Sequence, residues 1–212
     1  MSDQPDASVS ESTAAFWQWV EEYVCRPHPE IGREGDVCPF LPGIVRDGGL
    51  QVVVEETLDG TDAAAMEARV REEIPVFEAI PLKPWQKAYV ILFPKVVIAQ
   101  ADVVDRVQAA LKPDAVRMGL MVGQFHPNST EPGARNPEFF ANRAPVVAIA
   151  LRYMSYHDIV FLDRDPDWFR EYQSRYAQKI CGPDVDPFLV DRYHAAVARF
   201  GAQQAGSRPD AG

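Results

Sequence analysis

Apolar side chains recur along this chain with two different periods. In 13–25, Phe16, Trp19, Val20 and Tyr23 fall at i, i+3, i+4 and i+7, with Glu21 and Glu22 off the stripe, which predicts an amphipathic helix. Ser12 or Thr13 offers a capping oxygen at its start, and Pro27 ends it. The segment LQVVVEE, 50–56, is rich in β-branched residues and reads as a strand. Helices are expected over 62–74, with Thr61 as cap, and over 100–112, where Pro113 stops the pattern. AYVILFP, 88–94, is apolar throughout, the signature of a central strand buried on both faces. RMGLMVGQ, 117–124, and VVAIALRY, 146–153, are two further strands, and helical patterns follow near 166–180 and 186–200.

No helical pattern separates the strands at 117–124 and 146–153, so they are expected as antiparallel neighbours. The order implies an α+β fold: a mixed, largely antiparallel sheet packed against helices, loosely ferredoxin-like, with C-terminal helices. Two long segments interrupt the pattern. RPHPEIGREGDVCPFLPG, 26–43, holds four prolines and three glycines and is expected to lack regular structure. GQFHPNSTEPGARNPEFFANRAP, 123–145, combines a histidine, three asparagines, two arginines and four prolines, too polar and kinked for helix or strand. Residues 1–12 and 201–212 read as disordered tails around a single domain over 13–200.

Composition narrows the function classes. The chain of 212 residues is 47% hydrophobic and 25% charged, as a globular protein is, with a formal net charge of −10. Nucleic acids and anionic membranes are bound through excess positive charge, so neither is expected as a partner. There is no apolar run of membrane-spanning length, and the acidic, Ser-rich N-terminus lacks the features of a secretory signal. Cys25, Cys38 and Cys181 form no CxxC pair and read as reduced thiols, which together with the missing export signal predicts a cytoplasmic protein. Neither GxGxxG nor GxxxxGK[ST] occurs, and no His/Cys spacing suits zinc.

Two short motifs join a reactive side chain to a proline inside these irregular segments: Val37-Cys38-Pro39-Phe40 and Gln124-Phe125-His126-Pro127. Cys38 has three readings. It is a nucleophile whose thiolate is stabilised by His126, with Arg33, Arg46 or Arg143 as extra positive charge; or a haem ligand, since Cys-Pro is a recurring context for one; or a small buried hydrophobe. His126, at the end of a predicted strand, is a general base tuned by Glu131, a metal or haem ligand, or a brace for the turn. Arg143, beside Asn142, suits bidentate capture of a carboxylate or phosphate, or an ion pair with Glu131 or Glu138. Asn128 joins the candidate binding set, although Asn128 and Asn136 also suit turn capping. His28 and His157 read as solvated, and Phe16, Trp17, Trp19, Trp168 and Phe169 as core.

Cys38-Pro39-Phe40, Phe125-His126-Pro127 and Asn142-Arg143-Ala144-Pro145, in this order behind a Trp-containing helix, resemble an uncharacterised bacterial family, a domain of unknown function, across about residues 16–160. Ala144 stands where that family carries Ser, and the insert before Cys38 is longer. The resemblance implies a shared site without naming a reaction.

The resulting expectation is a cytoplasmic enzyme of small-molecule or specialised metabolism. Cys38 and His126 are its catalytic pair; Arg143, Asn142, Asn128, Glu131 and Arg33 bind a small anionic molecule. Two alternatives stay open: a haem-binding oxidoreductase with Cys38 or His126 as axial ligand, and a non-catalytic protein that binds a metabolite or a partner chain.

Overall fold

The computed structural model describes residues 7–205. Seven α-helices and four strands follow in chain order: α1 (Ala7–Trp19), α2 (Leu41–Arg46), β1 (Leu50–Val54), α3 (Ala63–Ala79), β2 (Ala88–Leu92), α4 (Val103–Arg117), β3 (Leu120–Phe125), β4 (Ala148–Tyr153), α5 (Ile159–Leu162), α6 (Pro166–Ile180) and α7 (Pro187–Ala205). The fold is α+β, built on a mixed sheet of order β1-β2-β4-β3. β1 and β2 run parallel, with α3 in the crossover, while β2–β4 and β3–β4 are antiparallel. The parallel pair departs from a ferredoxin-like sheet. The expected pairing of the strands flanking the long loop is present, from Leu120 opposite Tyr153 to Phe125 opposite Ala148.

By its contacts the described chain groups into two compact units, the residues up to 112 with 120–153, and 113–119 with the residues from 154 on. The first unit contains the sheet. β2 lies between β1 and β4 and is buried at every position, as its unbroken apolar run predicts. Val90 and Leu92 meet Phe16 and Val20 of the N-terminal helix in one core cluster with Ala144, Val146 and Ala148. Tyr89, on the opposite face of β2, meets Phe77 of α3, and its hydroxyl donates to Glu73 at 2.5 Å. Period-two alternation therefore gives the sheet one helical layer on each face. In the second unit, Phe169 and Tyr172 of α6 make ring contacts with Tyr193 of α7, and Arg192 pairs with Asp163 at 2.7 Å.

Several boundaries differ from the sequence expectation. The N-terminal helix covers 7–12, read as tail, and α7 runs to Ala205; the remaining tail positions lie outside the described residues. Thr13 is therefore internal to α1, its hydroxyl donating to the Val9 carbonyl at 2.9 Å instead of capping. Asp62, not Thr61, caps α3 by accepting from the Ala65 N–H at 2.9 Å. Neither Pro75 nor Pro113 stops its helix. A proline there sacrifices one backbone bond, but Phe77 beyond Pro75, and Ala115 and Val116 beyond Pro113, are buried by continuing the helix. The expected strand 117–124 begins only at Leu120, because Met118 and Gly119 form the turn out of α4 with Gly119 at φ +76°. The Leu41-Pro42-Gly43 stretch, expected to be irregular, opens α2: proline is tolerated in a first turn, where its missing N–H has no partner to lose.

Candidate functional site

The N-terminal helix does not end as an ordinary α-helix. After Trp19 it widens into a π-helical turn, Val20–Val24, in which the Cys25 N–H donates to the Val20 carbonyl at 2.9 Å, an i to i+5 bond. Phe16 and Val20 stay in the core, at 3% and 0% exposure, while Trp19 and Tyr23 are only half-buried. A run of rings extends from them. Trp19 lies edge-on to Phe125 at 5.4 Å and stacks on Tyr23 at 6.0 Å. Tyr23 meets His28 at 5.9 Å and Phe139 at 6.4 Å, and His28 and Phe139 lie 4.7 Å apart.

Trp19, Tyr23, His28 and Phe139 line an open pocket of about 370 Å³, together with Phe140, Arg143, Glu30 and Glu138. That volume falls within the range of small-molecule sites, about 300–1,000 Å³. The two irregular segments of the chain supply its walls. One is 26–38, returned on itself by an antiparallel bridge between Pro27 and Asp36. The other is the long loop after β3. They are tied where the Asn136 side chain donates to the Glu30 carbonyl at 2.9 Å, and they touch at Gly32, whose φ of +76° and lack of a side chain admit the Cβ of Arg135.

Arg143 is held in the wall. Its Nε donates to the Ser129 carbonyl at 2.9 Å and its guanidinium lies 4.1 Å over the Phe140 ring; its terminal nitrogens have no hydrogen-bond partner among the described residues. His28 accepts the Glu30 N–H through Nδ1 at 3.2 Å. The neutral ring therefore carries its proton on Nε2, as a donor. Burial, and then the nearby Glu30 carboxylate, push the Tyr23 phenol above its ordinary range, so it too stays a donor at neutral pH. The Trp19 indole N–H is buried without an acceptor among the described residues.

The other sequence candidates lie elsewhere. His126 is 1% exposed and does not line the pocket. Its Nε2 stands 3.2 Å from both oxygens of Asp105, its N–H donates to the Asn142 carbonyl, and its own carbonyl accepts from Ser129 and Ala144. These bonds brace the two ends of the loop. Asn142 takes part through its backbone, and the Asn128 side chain donates to the Ile98 carbonyl. Glu131 donates its N–H to Ser129 Oγ at 3.4 Å. Arg33 spends its guanidinium on the carbonyls of Glu34, Asp36 and Val37, holding the loop that leads to Cys38. Cys38 is half-buried, outside the pocket lining, and its N–H donates to the Val24 carbonyl at 2.9 Å. Two residues on, Phe40 packs under the Arg152 guanidinium at 4.9 Å.

Arg143 is thus the one sequence candidate in the pocket. Trp19 and Tyr23 share the helical stripe of true core residues, so their sequence spacing points inward; the π turn that changes their setting has no sequence signature. His28 carried a signal in retrospect, standing between two prolines in Pro27-His28-Pro29.

The family model for the domain of unknown function DUF6875 matches residues 13–184. The chain belongs to this family. No curated protein and no solved structure matches it. The DUF6875 segment holds the whole pocket, from Trp19 to Arg143, and the membership agrees with the resemblance to an uncharacterised family. Among the described residues of this DUF6875 protein, no group of three or more His, Cys, Asp or Glu is disposed to hold a metal ion, and no helix is long and apolar enough to cross a membrane.

Proposed function

We propose that the pocket binds a small, flat organic molecule bearing a carboxylate, and that this recognition is the protein's function. The observation that carries the reading is Arg143: a guanidinium fixed through Nε and by stacking, its terminal nitrogens unpartnered among the described residues, in the wall of a ring-lined pocket. An immobilised guanidinium binds a carboxylate bidentately at little further entropic cost. Trp19, Tyr23, His28 and Phe139 offer ring faces to a planar body, and the Tyr23 phenol and His28 imidazole supply O–H and N–H donors. Glu30 and Glu138 on the rim disfavour a multiply charged anion, which makes a monocarboxylate a better fit than a polyphosphate.

A second reading, catalysis, is favoured by one observation. The Glu30 N–H fixes the His28 tautomer and leaves Nε2 as a proton donor on a ring that lines the pocket. On this reading His28, rather than His126, is the acid–base group, and the substrate is the same carboxylate.

The test is a panel of aromatic carboxylates, each paired with its amide, titrated by calorimetry against wild type and Arg143→Gln. Carboxylates should bind and lose about 10- to 100-fold in affinity in the variant, the value of a charge-assisted bond, while amides change little. Equal binding of acid and amide, or indifference to Arg143→Gln, overturns the reading. Turnover of a bound acid that vanishes in His28→Gln would establish the catalytic version.

A further inference from the structure

We propose that Cys25 and Cys38 form a reversible redox pair, a disulfide that closes the segment 26–37 into a covalent loop. Pro27 and Asp36 form an antiparallel bridge, and the Val37 N–H donates to the Arg26 carbonyl at 2.8 Å. The next bond shifts that register by one residue: the Cys38 N–H donates to the Val24 carbonyl at 2.9 Å, so Cys38 lies against the Val24–Cys25 peptide. Adjacent main chains are what a disulfide requires, its Cα atoms lying about 4.4–6.8 Å apart. Both thiols are free and half-buried. They are also within electrostatic reach of each other: after burial, the Cys38 sulfur is the largest influence pushing the Cys25 thiol up to about 11.

That asymmetry sets the order of reaction. Cys25, packed against the sheet core and held protonated, is the poorer nucleophile at neutral pH, so Cys38 is attacked or attacks first. With glutathione disulfide as oxidant, the Cys38 thiolate attacks one glutathione sulfur. The S–S bond of the oxidant breaks, a mixed disulfide forms, and glutathione leaves as a thiolate. Cys25, giving its proton to solvent, then attacks the Cys38 sulfur and displaces the second glutathione thiolate. The two cysteines lose two electrons, and the oxidant gains them as two molecules of glutathione. The closed loop carries His28 and Glu30, so the oxidised and reduced proteins differ in the freedom of one pocket wall.

The third thiol, Cys181, is exposed and is removed for the test as Cys181→Ser in the full-length chain. This protein is equilibrated in glutathione buffers of increasing oxidised fraction, quenched in acid, and analysed by intact mass and peptide mapping. The expected product lacks two hydrogens, carries no glutathione, and yields one linked peptide pair containing Cys25 and Cys38. Adding Cys25→Ser should halt the reaction at a single glutathione on Cys38. The folded chain should also close at a lower oxidised fraction than the same chain in urea, because the fold raises the effective concentration of one thiol for the other. A stable glutathione adduct on Cys38 with Cys25 still free overturns the pair. So does a midpoint unchanged by urea, which would mean the fold does not align the thiols. Neither result depends on what the pocket binds.

Discussion

The imidazole of His126 is bound to a carboxylate 21 residues earlier in the chain: Nε2 lies 3.2 Å from both oxygens of Asp105, on α4. An ionised carboxylate only accepts, so Nε2 carries the proton and donates it. The other ring nitrogen, Nδ1, is buried without a partner among the described residues. With the backbone of His126 bonded to Ser129, Asn142 and Ala144, this pair ties the long loop to the start of α4. His126→Ala empties a buried site and orphans the carboxylate, and should cost about 2–4 kcal/mol in urea unfolding. Asp105→Asn keeps an acceptor beside Nε2 and should cost about 1 kcal/mol. Equal and negligible losses in both variants would refute the brace.

The two histidines should also differ in reactivity. Half-buried His28 should be modified by diethyl pyrocarbonate well before His126, which is 1% exposed, as read by peptide mass. Modification of His126 first would return it to the list of groups that meet solvent and substrate.

What the sequence reveals and what it hides separate along physical lines. β2 and the β3–β4 pair are legible because an apolar run of strand length has few other places to go, and because no helix intervenes between β3 and β4. The parallel pairing of β1 with β2 is not, since a strand–helix–strand pattern leaves open which edge the second strand joins. Pro75 and Pro113 mislead because local chemistry favours a stop and the burial of Phe77 and Val116 outweighs it. At the candidate site, Arg143 is legible as a cation in a proline-pinned loop, although the same position suits an ion pair with Glu131 or Glu138. Trp19 and Tyr23 are hidden by their own periodicity, and the role of Asp105 as partner of His126 depends on a tertiary contact between α4 and the loop.

Glycine 32 is a position where the close approach of the two pocket walls rests on one missing methyl group. Its φ is +76°, and an added Cβ would stand 2.9 Å from the Cβ of Arg135. Gly32→Ala should cost about 1–2 kcal/mol for the left-handed backbone alone. Separation of the walls should weaken carboxylate binding beyond what the lost stability explains. Calorimetry well below the melting temperature checks this; unchanged affinity would show that the pocket does not depend on the contact.

A buried network under the other face of the sheet should govern acid stability. Glu55 is 8% exposed and accepts from the Thr57 N–H at 2.8 Å, from the Thr57 hydroxyl, and from Arg69 Nε at 2.9 Å; Arg69 also pairs with Glu73, which accepts from the Tyr89 hydroxyl. Burial pushes the Glu55 carboxyl up, but the bonds from Thr57 and Arg69 together outweigh it and hold the group below its ordinary value. A carboxyl depressed on folding contributes stability that is present above the unfolded value, about 4.3, and is lost as pH falls through the folded one. Glu55→Gln should therefore be less stable at pH 7 and converge on wild type below about pH 4. Arg69→Met, which strands two carboxylates, should cost about 3 kcal/mol at pH 7 and lose part of that penalty in acid as they protonate. Parallel curves for wild type and Glu55→Gln from pH 7 to pH 3 would remove Glu55 as the source.

At the alkaline end the same linkage runs through Cys25 with the opposite sense. Burial, and after it the neighbouring Cys38, push this thiol up to about 11. The folded state therefore holds the Cys25 proton more tightly than the unfolded chain, where a thiol ionises near 8.5. The stability this contributes is complete below about pH 8.5 and is lost as pH climbs through the folded value. Tyrosines also titrate in this range, so the informative quantity is the difference between Cys25→Ala and its parent, both in the reduced state and both carrying Cys181→Ser. The variant should start less stable at pH 8, having lost packing against the core. The gap should then narrow steadily toward pH 11, where the parent has given up its proton-linked share. Alkylation provides the kinetic counterpart: with Cys38→Ser added, the iodoacetamide rate at Cys25 should still be rising above pH 9.5, past the midpoint of an ordinary thiol. A rate that levels off near pH 8.5, with a constant stability gap, would mean that burial does not hold the Cys25 proton, and would remove the reason for assigning the first attack to Cys38.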